Sequence, residues 1–165
     1  MKLLPTPLTA QAFAPFGRVI ECGAGEVLHI NADTCERHHA LAPIDCAAGR
    51  RPVVSIFRAQ SRDLPLPITM MERHPLGSQA FVPMPHVGGS GEWLIVVAPD
   101  EEGVPGAPRA FLARADQGVS YATNVWHHPL IALGGDRLFT VVDAIGEEPN
   151  LEERDYATPY TLERA

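Results

Sequence analysis

The sequence is poor in cysteine, aromatic residues and basic charge, and it has no long hydrophobic run. Cys22, Cys35 and Cys46 are the whole cysteine complement. Their number is odd and their spacing fits neither a zinc knuckle nor a CxxC pair, so they read as reduced thiols of a cytosolic protein. The longest aliphatic run, Leu94 to Ala98, is far too short to span a membrane. The start, Met1-Lys2-Leu3-Leu4-Pro5, meets proline before an apolar segment can form, which argues against a signal peptide. The expected location is therefore the cytoplasm. Lys and Arg number 13 against 20 Asp and Glu, a formal net charge of −7. A compact chain with that balance repels phosphates, which excludes a nucleic-acid binder. The acidic excess is spread along the chain, so it serves solubility and does not mark a partner. No repeat or low-complexity tract is present.

What is present is ordinary globular material. The 165 residues are 45% hydrophobic and 20% charged, and one domain over residues 1–165 is expected. With 14 Gly and 16 Pro, the chain has too many turn formers for a helical bundle. Short strands joined by turns fit better. One short helix is predicted over Leu8 to Pro15, capped by Thr9 and stopped by Pro15 and Gly17. Strands are predicted over 16–21, 53–60, 68–74, 78–84, 92–98, 109–114, 118–122, 129–133 and 137–145. Residues 22–50 have no clear period. They hold His29, Asn31, His38 and His39 and read as an irregular, functional loop. A short helix is predicted near 150–155. The sum is an all-β fold, for which a closed barrel and a double-sheet jelly roll both fit.

Three groups of residues could carry chemistry. Glu72 and His74 are two apart, so on a strand they share a face with apolar Ile68 and Met70, which would turn them inward. A carboxylate and an imidazole on an inner face need partners, a metal or a substrate. The turn Pro75-Leu76-Gly77 can bring Gln79 back beside them. A purely structural alternative pairs Glu72 with a buried Arg and leaves His74 as a hydrogen-bonded core residue. The second group is Asn124-Val125-Trp126-His127-His128-Pro129-Leu130. Adjacent residues of a strand face opposite ways, yet both faces here are apolar, so parity does not choose between His127 and His128. The third is Arg58, mid-strand on a face with Val54 and Ile56. Turned inward, its planar fork would suit a carboxylate, either a substrate's or that of Glu72 or Asp143.

Glu-x-His-x4-Gln at 72–79, followed later by a histidine after a turn, resembles the two-part metal signature of the cupin barrel. Glu stands here for the usual first His, and Gln for the usual Glu. More specifically, Glu72 to Pro83, Asn124 to Leu130, Ser55 to Gln60, His29 to Ala32 and Leu8 to Gly17 resemble the bacterial ureidoglycolate lyase family of allantoin and purine breakdown. The resemblance runs over roughly residues 3–145. It implies a cupin-like double-stranded β-helix barrel, a homodimer, that cleaves (S)-ureidoglycolate to glyoxylate and urea. It also implies a divalent metal, nickel or similar, and no organic cofactor. Residues Glu72, His74, Gln79 and His127 would hold the ion. One carboxylate, one amide and two imidazoles form a set that binds loosely. The catalytic residues implied are Glu72, His74, His127 and Arg58, and His128 would point outward. Strands apolar on both faces, such as Trp93 to Ala98, lend the dimer some support. Another cupin enzyme (an isomerase or a metal-dependent dioxygenase) and a non-catalytic cupin that binds small acids are the alternatives.

Overall fold

The computed structural model describes residues 1–85 and 91–164. The fold is almost entirely β. The larger sheet runs in the order Lys2–Leu3, Glu152–Leu162, Leu66–Arg73, Trp126–His127, Trp93–Ala98, Arg109–Ala113, Pro5–Pro7, with Ile131–Ala132 also pairing with Trp93–Ala98. The smaller sheet runs Gly17–Ile20, Gly118–Tyr121, Gln79–Pro83, Arg137–Ile145, Arg51–Ala59. Together they form the barrel expected of a cupin.

The barrel core draws on both sheets. Trp93, Ile95, Val97, Phe111 and Ala113 from the larger sheet meet Val19, Phe81, Val119, Phe139 and Val141 from the smaller. Phe13 packs edge-on against Phe111 at one end. It comes from the only helix among the described residues, Ala10–Phe13, where Thr9 Oγ1 accepts from the Ala12 N–H at 3.2 Å as predicted. Gly17 follows immediately, with φ +148°, a backbone state that side chains rarely adopt. A Cβ there would lie 1.9 Å from the Ser120 carbonyl oxygen. Glycine thus lets this strand close onto Gly118–Tyr121.

A second apolar cluster lies on the other face of the larger sheet. It holds Leu66, Ile68, Met71, Leu94, Val96, Ala98, Trp126 and Leu162, with Tyr156 and Tyr160 against it. Each fully buried side chain of this kind contributes about 1.5–3 kcal/mol. Trp93–Ala98 therefore buries every residue within one chain, so its two apolar faces need no second copy to cover them.

Three sequence expectations are corrected. Residues 22–50 contain a regular antiparallel hairpin, Glu26–Ile30 with Cys35–His39. Its two faces are mostly exposed, so no apolar period marked it. The short helix near 150–155 is absent; Glu152–Leu162 is a long strand paired with Leu66–Arg73. Its run of charged residues, Glu152 to Asp155, concealed a strand held by its backbone pairing, by Glu152 on Arg73 and by Tyr156, Tyr160 and Leu162 against the outer cluster. Ile68 and Met71 lie in the same cluster, so alternation breaks between them, beside a register shift between Asp155 and Tyr160 of the partner strand. Glu72 does face inward, but not because it shares a face with Ile68.

Arg73 anchors this region. Its guanidinium donates to Glu152 at 2.6 and 2.8 Å and to Asp100 at 2.8 Å. It also lies 4.4 Å from the centroid of the Trp126 ring, and Trp126 Nε1 donates to Asp100 at 2.8 Å. We expect Arg73→Ala to destabilise the fold by about 2 kcal/mol in urea unfolding. An unchanged midpoint would show that solvent screens these contacts.

Candidate active site

Strand register builds the site. His127 pairs with Glu72 on one side and with Val97 on the other. Val97 belongs to the barrel core, so the whole row faces inward, while Trp126 faces the outer cluster. On the opposite sheet Tyr121 pairs with Gln79, and both lie beside Phe81 of the core. These side chains line a cavity of about 490 Å³, together with His74, His128, Arg58, Asp143 and others.

The two imidazoles are oriented alike. His127 Nδ1 stands 2.9 Å from the Val125 carbonyl oxygen, and His74 Nδ1 2.5 Å from that of Asn150. A carbonyl only accepts, so each Nδ1 carries the hydrogen and each Nε2 is left as a lone pair. Both Nε2 atoms are buried without a hydrogen-bond partner, and so is Gln79 Oε1. His127 Nε2 lies 3.5 Å from Glu72 Oε1, which is an ion-pair distance but too long for a good hydrogen bond. One ligand atom each from Glu72, His74 and His127 lie within 4.8 Å of one another. Inward-pointing lone pairs on Glu72, His74 and His127, those of the two imidazoles unsatisfied, make a set that a divalent ion fits.

Neighbours hold these groups in place. Tyr121 stacks on His127 with ring centroids 4.2 Å apart and an interplanar angle of 17°. The rings of His74 and His127 lie 5.2 Å apart. The turn between His74 and Gln79 is fixed from outside: Asn150 Oδ1 accepts from the Leu76 N–H at 2.7 Å, and Ser78 Oγ accepts from the Asp45 N–H at 2.8 Å.

Electrostatics follows from burial and proximity. Burial raises the Glu72 carboxyl, but the His127 imidazole, aided by His74 and His128, outweighs it and holds Glu72 below its usual range. Burial lowers His74 below the ordinary 6.5, against the Asn150 carbonyl and the Glu72 charge. His128 is lowered the same way, against the Pro129 carbonyl. The Tyr121 hydroxyl is raised by burial and by Glu72.

Glu72, His74, Gln79 and His127 are thus brought together. His128 does not point away from the cavity: it lines it, lying just past the end of the strand Trp126–His127, with its Nδ1 2.8 Å from the Pro129 carbonyl oxygen. Arg58 is exposed, with Val54 and Ile56 of the same strand at 70% and 57% exposure. That face of the edge strand is the outer one, so Arg58 reaches only the border of the cavity and makes no ion pair with Glu72 or Asp143. Sequence reasoning missed Tyr121, Phe81 and Asn150. Tyr121 and Phe81 fall inside predicted strands with nothing in their local pattern to single them out, and Asn150 lies in a segment that gave no strand signal.

We expect Tyr121→Ala to weaken divalent-metal binding at this cluster about tenfold, because His127 then loses its stacking wall, while Tyr121→Phe keeps the affinity. Calorimetric titration with nickel checks both; equal affinity in Tyr121→Ala would remove the positioning role.

The family model described as ureidoglycolate lyase matches residues 1–163. A ureidoglycolate lyase of Rhizobium etli (strain CIAT 652) is 51% identical over 158 residues, covering 94% of this chain and 92% of its own. One from Brucella melitensis biotype 2 is 52% identical over 155 residues, covering 92% and 89%. One from Burkholderia cepacia is 52% identical over 157 residues, covering 94% and 87%.

Proposed function

Because the chain belongs to the ureidoglycolate lyase family, we propose that it cleaves (S)-ureidoglycolate to glyoxylate and urea. The observation that supports the chemistry is the inward cluster of Glu72, His74, His127 and Gln79 with unsatisfied ligand atoms. The substrate carries a hydroxyl and a urea nitrogen on one carbon. Cleavage moves the hydroxyl proton to that nitrogen, as the C–N bond electrons leave with the urea and the carbonyl of glyoxylate forms. Oxidant and reductant are both unnecessary.

His74, His127, Gln79 and Glu72 would hold a divalent ion, nickel or a similar metal. Such an ion lowers the pKa of a hydroxyl bound to it. Glu72, held ionised, takes the hydroxyl proton and returns it to the geminal nitrogen, so one carboxylate serves both transfers. His74 and His127 would present Nε2 to the ion, their Nδ1 atoms being held by the carbonyls of Asn150 and Val125. Among the described residues lining the cavity, Arg58 is the one Arg or Lys, and we assign it to the substrate carboxylate at the mouth.

We extend the proposal to a cytoplasmic homodimer. The three cysteines are exposed and unpaired, which suits a reducing compartment. No helix among the described residues is long and apolar enough to cross a membrane. Exposed Val54, Ile56, Val82 and Leu138 on the outer face of the smaller sheet offer a second copy an apolar surface. Light scattering at micromolar concentration should give twice the 17.9 kDa chain mass, and a monomeric mass would refute the dimer.

A coupled assay for glyoxylate and urea tests the activity. His127→Ala should abolish turnover and metal content together, whereas His128→Ala should leave the metal in place. Arg58→Lys keeps the charge but loses the fork, and kcat/KM should fall by about 1 kcal/mol of transition-state binding. Wild-type rates in Arg58→Lys would leave the carboxylate without this partner. The pH profile follows from the shifts. Glu72 is held low, so it stays ionised into acid. His74 is also lowered, so its neutral form persists below 6.5. The acid limb of kcat/KM should therefore have its midpoint below 6.5, and a midpoint above about 7 would contradict the assignment.

A further inference from the structure

One half-buried carboxylate in the cavity has a buried oxygen without a hydrogen-bond partner and has no part in the scheme above. Asp143 lies on Arg137–Ile145, whose Phe139 and Val141 point into the core. Two residues past Val141, Asp143 faces the same way. Val142 pairs with Ala80 and Val141 with Phe81, which sets Asp143 beside Gln79. Asp143 lines the cavity, its charge is felt by His74, and its Oδ1 is buried with no hydrogen-bond partner. It is not among the three residues whose ligand atoms cluster within 4.8 Å. A buried carboxylate oxygen without a donor is costly unless a ligand supplies one.

The proposed substrate has one end rich in donors. Its carboxylate and hydroxyl are met by Arg58 and by the Glu72, His74 and His127 group. Its ureido end carries N–H groups that need an acceptor, and an ionised carboxylate only accepts. Asp143 would repel the substrate's own carboxylate, so the two ends are told apart by charge. We propose that Asp143 is the specificity-determining residue for the ureido group and accepts a hydrogen bond from its terminal NH2. This rests on the lyase reading, but its test does not need turnover.

N-carbamoylglycine is the substrate without its hydroxyl and cannot be cleaved in the same way. N-acetylglycine replaces its terminal NH2 by a methyl group. Calorimetric titration of the purified chain should show N-carbamoylglycine bound about tenfold or more tightly than N-acetylglycine. Asp143→Ala should bring the two affinities together. Asp143→Asn, which keeps one acceptor oxygen and is the safer variant for folding, should lower the preference by several-fold. Nickel content should stay at the level of the unaltered chain in both variants. Equal binding of the two analogues by the unaltered chain overturns the proposal, as does an undiminished preference in either folded variant. A fall in nickel content alongside the preference also overturns it, since Asp143 would then serve the ion. Glyoxylate release from ureidoglycolate by the unaltered chain reports on the lyase reading separately.

Discussion

The pairing of His127 with Glu72 across neighbouring antiparallel strands is the constraint on which the site depends. It puts an imidazole and a carboxylate from distant parts of the chain into one inward row, at a spacing set by the backbone. A carboxylate alone on that wall would be driven toward its neutral form by burial. The imidazoles around it reverse that tendency. Trp126, one residue earlier, faces the opposite cluster and is held by Asp100 and Arg73. The same short strand therefore supplies a site residue on one face and a packing anchor on the other.

The rest of the site is organised around that row. Tyr121 closes one side of His127 by stacking, and it reaches that position because Gly17 permits a close approach of the neighbouring strand. Gln79 pairs directly with Tyr121. The turn that carries Gln79 back toward His74 is clasped by Asp45 and Asn150, which lie far apart in sequence. Precision at the cavity thus comes from strand register and from a clamped turn, and both are properties of the backbone frame.

Much of this was legible in the sequence. The strands from 53 to 145 show as short alternating or continuous apolar runs between turn residues, and Thr9 marks the helix start. The Glu-x-His-x4-Gln spacing and the Trp126-His127 motif pointed to the residues that converge. What could not be read has physical causes. The hairpin over 26–39 and the strand 152–162 carry many charged and exposed residues, so their faces lack an apolar signature. Arg58 looked inward because Val54 and Ile56 are apolar, whereas that face is the solvent side of an edge strand. Asp143 and Tyr121 come to the cavity through long-range pairing, which no local pattern encodes.

The tautomers of His74 and His127 are set by main-chain carbonyls, those of Asn150 and Val125. Every residue type at those two positions would present the same oxygen. The orientation of both imidazoles is therefore buffered against changes of residue identity there. It has no such protection against changes of length. One residue added or removed between Ile145 and Glu152 would carry the carbonyl away from His74 while leaving every ligand in the chain. Variation in this connection is constrained in its count, and in its letters where the Asn150 side chain holds the Leu76 N–H.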